Sequence, residues 1–215
     1  PTYEAKELGL EPLKQSWWEH DLSVIMTGKE QKQYFEVILS AMKELLPEDA
    51  GRIVHIPHGF LRLPEGKMSS RSGNVITAEF LIGEVEKLAR EKSDDPALAL
   101  AVAVAAIKYE ILKQQAGSDI IFDTKKSLSF EGDSGPYLQY SRVRALSVLD
   151  KAKKEGVVGS TATIPEHTNE LARLLQRFPE VVLRAQQERE PHHVTTHLTH
   201  LASAFNSWYA SEKIV

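Results

Sequence analysis

The residue pattern changes period once along this chain, and that change limits what it can fold into. Before Thr77, two short apolar runs enclose one stretch of helical periodicity. After it, only helical patterns recur. The first run, Leu22-Ser23-Val24-Ile25-Met26, ends at Thr27-Gly28 and reads as a buried strand. Thr27 and Glu30 have the spacing of a capping box. Phe35, Ile38, Leu39, Met42, Leu45 and Leu46 then recur at helical intervals until Pro47. Arg52-Ile53-Val54-His55-Ile56 reads as the next strand. Strand, helix, strand in this order predicts a parallel α/β sheet. Ahead of it, Pro12 to Asp21 reads as a connector carrying Trp17 and Trp18.

The second half is read as helices. Thr77 caps a segment ending near Lys92, and Asp95-Pro96 starts another that runs to Gln115, with Gly117 as a stop. Pro136 sits early in a third helix reaching Glu155-Gly156. A small-residue linker covers Gly156 to Pro165. Two or three more helices fill Glu166 to Val215, broken by Pro179 and Pro191. The expected fold class is α/β followed by all-α, the end of a nucleotide-binding sheet domain leading into a helical portion. A chain that starts at Pro1-Thr2-Tyr3 and stops at Lys213-Ile214-Val215, inside an apparent helix, reads as a piece of a longer protein.

Composition removes several classes. Apolar content of 42% and charged content of 26% are those of an ordinary globular protein. A net charge of −4 argues against binding nucleic acid by bulk charge, leaving local patches as the route. No cysteine is present, which excludes disulfides, thiolate zinc sites and catalytic thiols; no metal site is expected. Without an apolar run near the roughly 20 residues that span a bilayer, no membrane is expected and the cytoplasm is the default.

Chemistry concentrates in one run. Lys67-Met68-Ser69-Ser70-Arg71-Ser72-Gly73-Asn74 offers a cation, hydroxyl donors and free backbone N–H groups to a polyanion, as a triphosphate site needs. An ordinary polar turn is the alternative. Tyr3 and Glu7, four residues apart, share one face if helical, where a carboxylate can grip a guanidinium and a ring can pack on it. Thr27-Gly28-Lys29-Glu30-Gln31 stands where strand meets helix, a place where ligands gather in parallel sheets. Glu30 is either a ligand-facing acid or the capping partner of Thr27. His55-Ile56-Pro57-His58-Gly59-Phe60 precedes the loop; its histidines read as structural and Gly59 as a point of close approach. Glu131-Gly132-Asp133-Ser134-Gly135-Pro136-Tyr137 is a turn, a cap and a helix start, followed by Tyr140, Arg142, Arg144, Lys151, Lys153 and Lys154. Those cations suit phosphates or form a solvated face, and Tyr137 reads as core.

The last four of these segments, which follow one another along the chain, resemble the arginyl-tRNA synthetases, a family of class I aminoacyl-tRNA synthetases; the octapeptide, which lies between the third and fourth of them, resembles the class I signature loop. The resemblance implies the C-terminal half of a Rossmann-type parallel-sheet domain over 1–76, a helical stem-contact region over 77–133 and a partial helical anticodon-binding domain over 134–215. It implies catalytic roles for Lys67, Ser69, Ser70 and Arg71. Ser70 departs from the class pattern, which has a second lysine there, and Arg71 offers a replacement cation. It implies arginine binding by Tyr3, Glu7 and Gln31, with Glu7 standing where the family more often has aspartate. Gly28, Glu30, Gly59, Phe60, Lys67 and Met68 would hold ATP with its Mg²⁺, and Arg142, Arg144 and Lys151 would touch tRNA. The implied partners are tRNA(Arg), arginine and ATP, with the protein a monomer. No histidine–x–glycine–histidine signature occurs in the sequence, so the chain alone is expected to be inactive. The alternative is a non-catalytic RNA-binding module derived from a synthetase.

Overall fold

The structure, a computed structural model, describes residues 2–62, 64, 77–159, 169–212 and 214. It divides into two compact units, residues 1–61 with 116–120, and residues 62–115 with 121–215.

In the first unit, α1 (Tyr3–Trp17) precedes β1 (Ser23–Gly28); a 3₁₀ turn (Lys29–Gln31) leads to α2 (Lys32–Leu45), α3 (Pro47–Ala50) and β2 (Ile53–His58). β1 and β2 pair in parallel, Ser23 with Ile53 through Gly28 with His58, as the strand–helix–strand order predicts. α2 buries Phe35, Ile38 and Met42, one helical stripe.

Three expectations fail here. Pro12 to Asp21 is mostly helix: α1 runs on through Pro12, its start capped by Thr2, whose hydroxyl accepts from the Ala5 N–H. One proline removes one backbone bond, and Glu11 beside it is buried, paired with Lys14 one turn on. β1 is buried on one face only, for Val24 and Met26 are exposed. The capping box does not form. The Thr27 hydroxyl donates to the Gly28 carbonyl and bonds His55 Nε2, and α2 begins after Gln31 with no side-chain cap.

A separate two-residue ladder pairs β3 (Leu61–Arg62) with β4 (Ile120–Ile121). The second unit holds α4 (Ala78–Arg90), α5 (Pro96–Leu112), α6 (Thr124–Ser127), α7 (Gly135–Lys154), α8 (Glu170–Glu188) and α9 (His192–Ser211). Side chains cap the expected starts: Thr77 on α4, Asp95 on α5 and Ser134 on α7. α5 is the hub, packed by α4, α7 and α9. Its Ala99, Ala103 and Ala106 lie one and two turns apart and are wholly buried, so neighbouring helices approach closely. α4 answers with Leu81, Val85 and Ala89.

Pro179 does not break the last segment. It lies inside α8, which packs along α9. α8 ends instead where Arg189 turns left-handed (φ 56°) and the Glu190 N–H returns to the Ala185 carbonyl.

At the start of α7, a Cβ on Gly135 would lie 2.5 Å from the Ala105 carbonyl oxygen of α5. Both atoms belong to helices, so neither yields cheaply. Gly135→Ala should therefore cost about 1–3 kcal/mol, read as a lower urea midpoint with unchanged slope.

Candidate nucleotide and tRNA sites

The carboxyl ends of β1 and β2 bring one group of predicted residues together. Gly28 and His58 are register partners, and Glu30, Gly59 and Phe60 follow directly in chain. Gly28 has an ordinary φ of −60°, so its backbone does not call for glycine. A Cβ would fall 2.4 Å from Glu30 Oε2, which shows the Glu30 carboxylate folded back over the strand end. Gly59 is likewise a point of close approach, and its neighbour is the chain itself. A Cβ would sit 1.9 Å from the Ser118 carbonyl oxygen.

That approach introduces a residue the sequence reading missed. Asp119 Oδ1 accepts from the Phe60 N–H at 2.9 Å and pairs with Lys29 Nζ at 2.7 Å. Lys29 Nζ also lies 5.9 Å from the centre of the half-exposed Phe60 ring. The result is a pinned aromatic face beside a carboxylate at the strand ends, which suits a planar ring carrying polar groups. Asp119 is separated from Phe60 by 59 residues, and no local pattern links them.

His55 is structural, as expected. Its ring stacks on Phe35 with centroids 4.3 Å apart, its Nε2 lies 2.8 Å from Thr27 Oγ1, and burial pushes its pKa down.

Tyr3 opens α1 and is strongly exposed, with Lys6 Nζ 5.5 Å from its ring. Glu7 is half-buried one turn on, and Gln31 is exposed at the end of the 3₁₀ turn. Lys67, Met68, Ser69, Ser70 and Arg71 lie outside the described residues.

In the second unit Ser134, Gly135 and Pro136 of the 131–137 motif are buried, Glu131, Gly132 and Asp133 are exposed, and Tyr137, read from the sequence as core, is half-buried. The Asp133 carboxylate accepts from the Tyr109 hydroxyl and pairs with Lys113 at 3.2 Å. Lys113 also pairs with Glu110 at 2.8 Å. Burial opposes the Lys113 ammonium, but Glu110 and Asp133 outweigh it and its pKa ends raised. Burial, with the Asp133 carboxylate as its partner, pushes the Tyr109 phenol well up, so it stays a donor.

The three candidate tRNA cations do not share one face. Arg144 and Lys151 are seven residues apart and lie on one side of α7; Arg142 faces the other way. Arg142 is exposed. Arg144 is clamped: its guanidinium lies 4.3 Å from the Tyr140 ring centre and 5.1 Å from that of Tyr209. Its Nη1 donates to Asn206 Oδ1 at 2.9 Å and its Nη2 to the Tyr140 hydroxyl at 2.7 Å. Asn206 Nδ2 donates onward to Ser141 Oγ at 2.7 Å, which ties α7 to α9. Lys151 is exposed and lies 3.8 Å from Glu155.

The helical half matches a known domain. The family described as "DALR anticodon binding domain" covers residues 138–215. Over 96% of its length the chain is 33% identical to the arginine–tRNA ligase of Treponema denticola, covering 38% of that protein. Over 99% it is 31% identical to the arginine–tRNA ligase of Borrelia hermsii, again covering 38%. Among solved structures, arginyl-tRNA synthetase of Thermus thermophilus superposes with a TM-score of 0.74 at 28% identity, over 91% of this chain and 34% of that one. The fold, an α/β piece running into a helical anticodon-binding domain, is that of an aminoacyl-tRNA synthetase chain. Within that class it belongs to the arginyl-tRNA synthetase family. It spans little more than a third of the length of the curated relatives it matches.

The clamp and the free cation make opposite predictions. Arg144→Lys should lose the planar stacking and cost about 1–2 kcal/mol in urea unfolding. Arg142→Ala should stay within about 0.5 kcal/mol of the wild type.

Proposed function

We propose that this chain serves the ATP-dependent attachment of arginine to its tRNA, as the C-terminal part of the catalytic fold and part of the anticodon-binding domain. Residues 1–76 supply the nucleotide and arginine sites, 77–133 the stem-contact region and 134–215 the anticodon-side helices. In the reaction, the arginine carboxylate attacks the α-phosphate of ATP, forming arginyl-adenylate and releasing pyrophosphate. A terminal ribose hydroxyl of tRNA(Arg) then displaces AMP. Lys67, with Ser69, Ser70 and Arg71, stabilises the charge that builds on the phosphates and their Mg²⁺ complex. Gly28, Glu30, Gly59, Phe60 and Met68 surround the nucleoside, and Tyr3, Glu7 and Gln31 meet the guanidinium. Arg142 and Lys151 reach tRNA phosphates, while Arg144 acts by holding α7 against α9. The chain works in the cytoplasm as a monomer and is inactive alone, because it contains no histidine–x–glycine–histidine signature to hold the ATP phosphates.

The observation that carries this reading is the match to arginine–tRNA ligases over 96% of this chain, with Gly28, Glu30, Gly59 and Phe60 gathered at adjacent strand ends. A second reading, a non-catalytic RNA-binding module, is favoured by the anticodon-binding match on the helical half.

ATP–pyrophosphate exchange separates the two. A longer protein that contains this sequence and the missing signature should exchange in the presence of arginine and tRNA(Arg). Lys67→Ala should lower the rate by about 100-fold or more. A folded protein of that kind with no exchange would leave only the module. In either case Arg142→Ala should weaken tRNA binding and reduce the dependence of log affinity on log salt by about one.

A further inference from the structure

α1 carries Tyr3, Glu7 and Glu11 at four-residue spacing, one stripe of the helix, with Lys14 beside them. Glu11 is only 2% exposed. A carboxyl group so buried needs partners, and it has them. His20 Nε2 lies 2.6 Å from Glu11 Oε1, and Lys14 Nζ lies 3.3 Å from Oε2. Lys14 Nζ also donates to Ser23 Oγ at 3.2 Å, at the start of β1.

The other side of the His20 ring decides its charge. Nδ1 lies 3.1 Å from the Trp18 carbonyl oxygen, which can only accept. An ionised Glu11 can only accept as well. Each ring nitrogen must then carry a proton, so His20 is an imidazolium. The competing arrangement, a neutral ring accepting from a protonated Glu11, is disfavoured by the Lys14 ammonium on the same carboxyl group. Gln15 closes the turn from the other side: its Nε2 donates to the His20 carbonyl at 2.7 Å and its Oε1 accepts from the His20 N–H at 3.3 Å.

The other charged groups around the network are few in kind. Glu7 of α1 lines the same small cavity as Glu11 and Lys14, and α2 turns Phe35, Ile38, Leu39 and Met42 into it. Glu19 and Asp21 flank His20 in the chain and are exposed, and Arg52 ahead of β2 pairs with Asp49 at 3.2 Å.

We propose that His20 is a proton-operated latch, which as an imidazolium ties the turn after α1 to buried Glu11 and so fixes the helix that carries Tyr3 and Glu7. As a neutral ring it can keep only one of its two acceptors, and α1 is released from that turn. The latch rests on these contacts; its consequence for arginine rests on the proposed role of Tyr3 and Glu7. His20 is a positioning residue, since it acts through Glu11. The carboxylate holds the ring pKa above its ordinary value. Burial pushes Glu11 up, but its bonds to His20, Ser23 and Lys14 outweigh that and leave it lowered. The stabilisation is therefore full below about pH 6.5, the ordinary histidine value, and is lost as pH rises through the raised one. On the acid side it is lost as pH falls through the lowered value of Glu11.

The test is a titration of the ring nitrogens by NMR in the ¹⁵N-histidine-labelled chain, with Glu11→Gln and His20→Gln beside it. His20 should be doubly protonated at pH 6 and should titrate above the ordinary value, returning to it in Glu11→Gln. If Glu11→Gln does not fold, urea unfolding of His20→Gln replaces it. The wild type should exceed that variant in stability at pH 6, and the difference should shrink towards pH 9. A single neutral tautomer at pH 6, or a stability difference that does not change with pH, overturns the latch. Arginine affinity of the longer protein that remains flat over the interval in which the ring titrates overturns the link to Tyr3 and Glu7, with the latch intact.

Discussion

The close approach of α7 to α5 is the constraint on which the helical unit depends. It needs a run of small residues on one helix and the loss of a side chain on the other. Ala99, Ala103 and Ala106, wholly buried, keep α5 slim among its neighbours, and Gly135, set against the Ala105 carbonyl, is the missing side chain on α7. With the helices that close, the loop before α7 lies over α5. There the Asp133 carboxylate meets the Tyr109 hydroxyl and the Lys113 ammonium. α9 joins the same point through Thr199, which also bonds the Tyr109 hydroxyl. A bulkier α5 would separate all of these polar partners at once, leaving buried groups unmatched.

The first unit relies on polar groups more than on apolar bulk. Its helix α2 buries one stripe, but α1 is fastened by the buried Glu11 carboxylate, which Lys14 and His20 contact. His55 bridges β1, β2 and α2 through Thr27 and Phe35. Such contacts are directional, so they fix orientation as well as proximity. The pinned ring of Phe60, held by Asp119 and Lys29, follows the same logic.

Charge alone would have misassigned α7. Arg142 and Arg144 are two residues apart, yet one meets solvent and the other lies between two tyrosines with both terminal nitrogens bonded. An arginine in that setting contributes as a flat, weakly hydrated plate with fixed donors. A chain with net charge −4 has to present its cations selectively if it is to meet RNA.

The sequence by itself determined the parallel pairing of β1 and β2, the side-chain caps at Thr77, Asp95 and Ser134, and the family, because each of these is written in local spacing or in motif order. Pro12 and Pro179 do not end their helices, since each removes one backbone bond while the turns on either side keep theirs. Thr27 and Glu30 had the right spacing for a cap, but His55, brought alongside by strand pairing, competed for the Thr27 hydroxyl. Tertiary structure alone decided that Asp119 joins Phe60, that Arg144 is clamped and that His20 closes on Glu11. Each of these depends on elements or turns that meet only after folding. A hydrogen bond or a stacked ring is satisfied by proximity in space, and no periodicity along the chain encodes it.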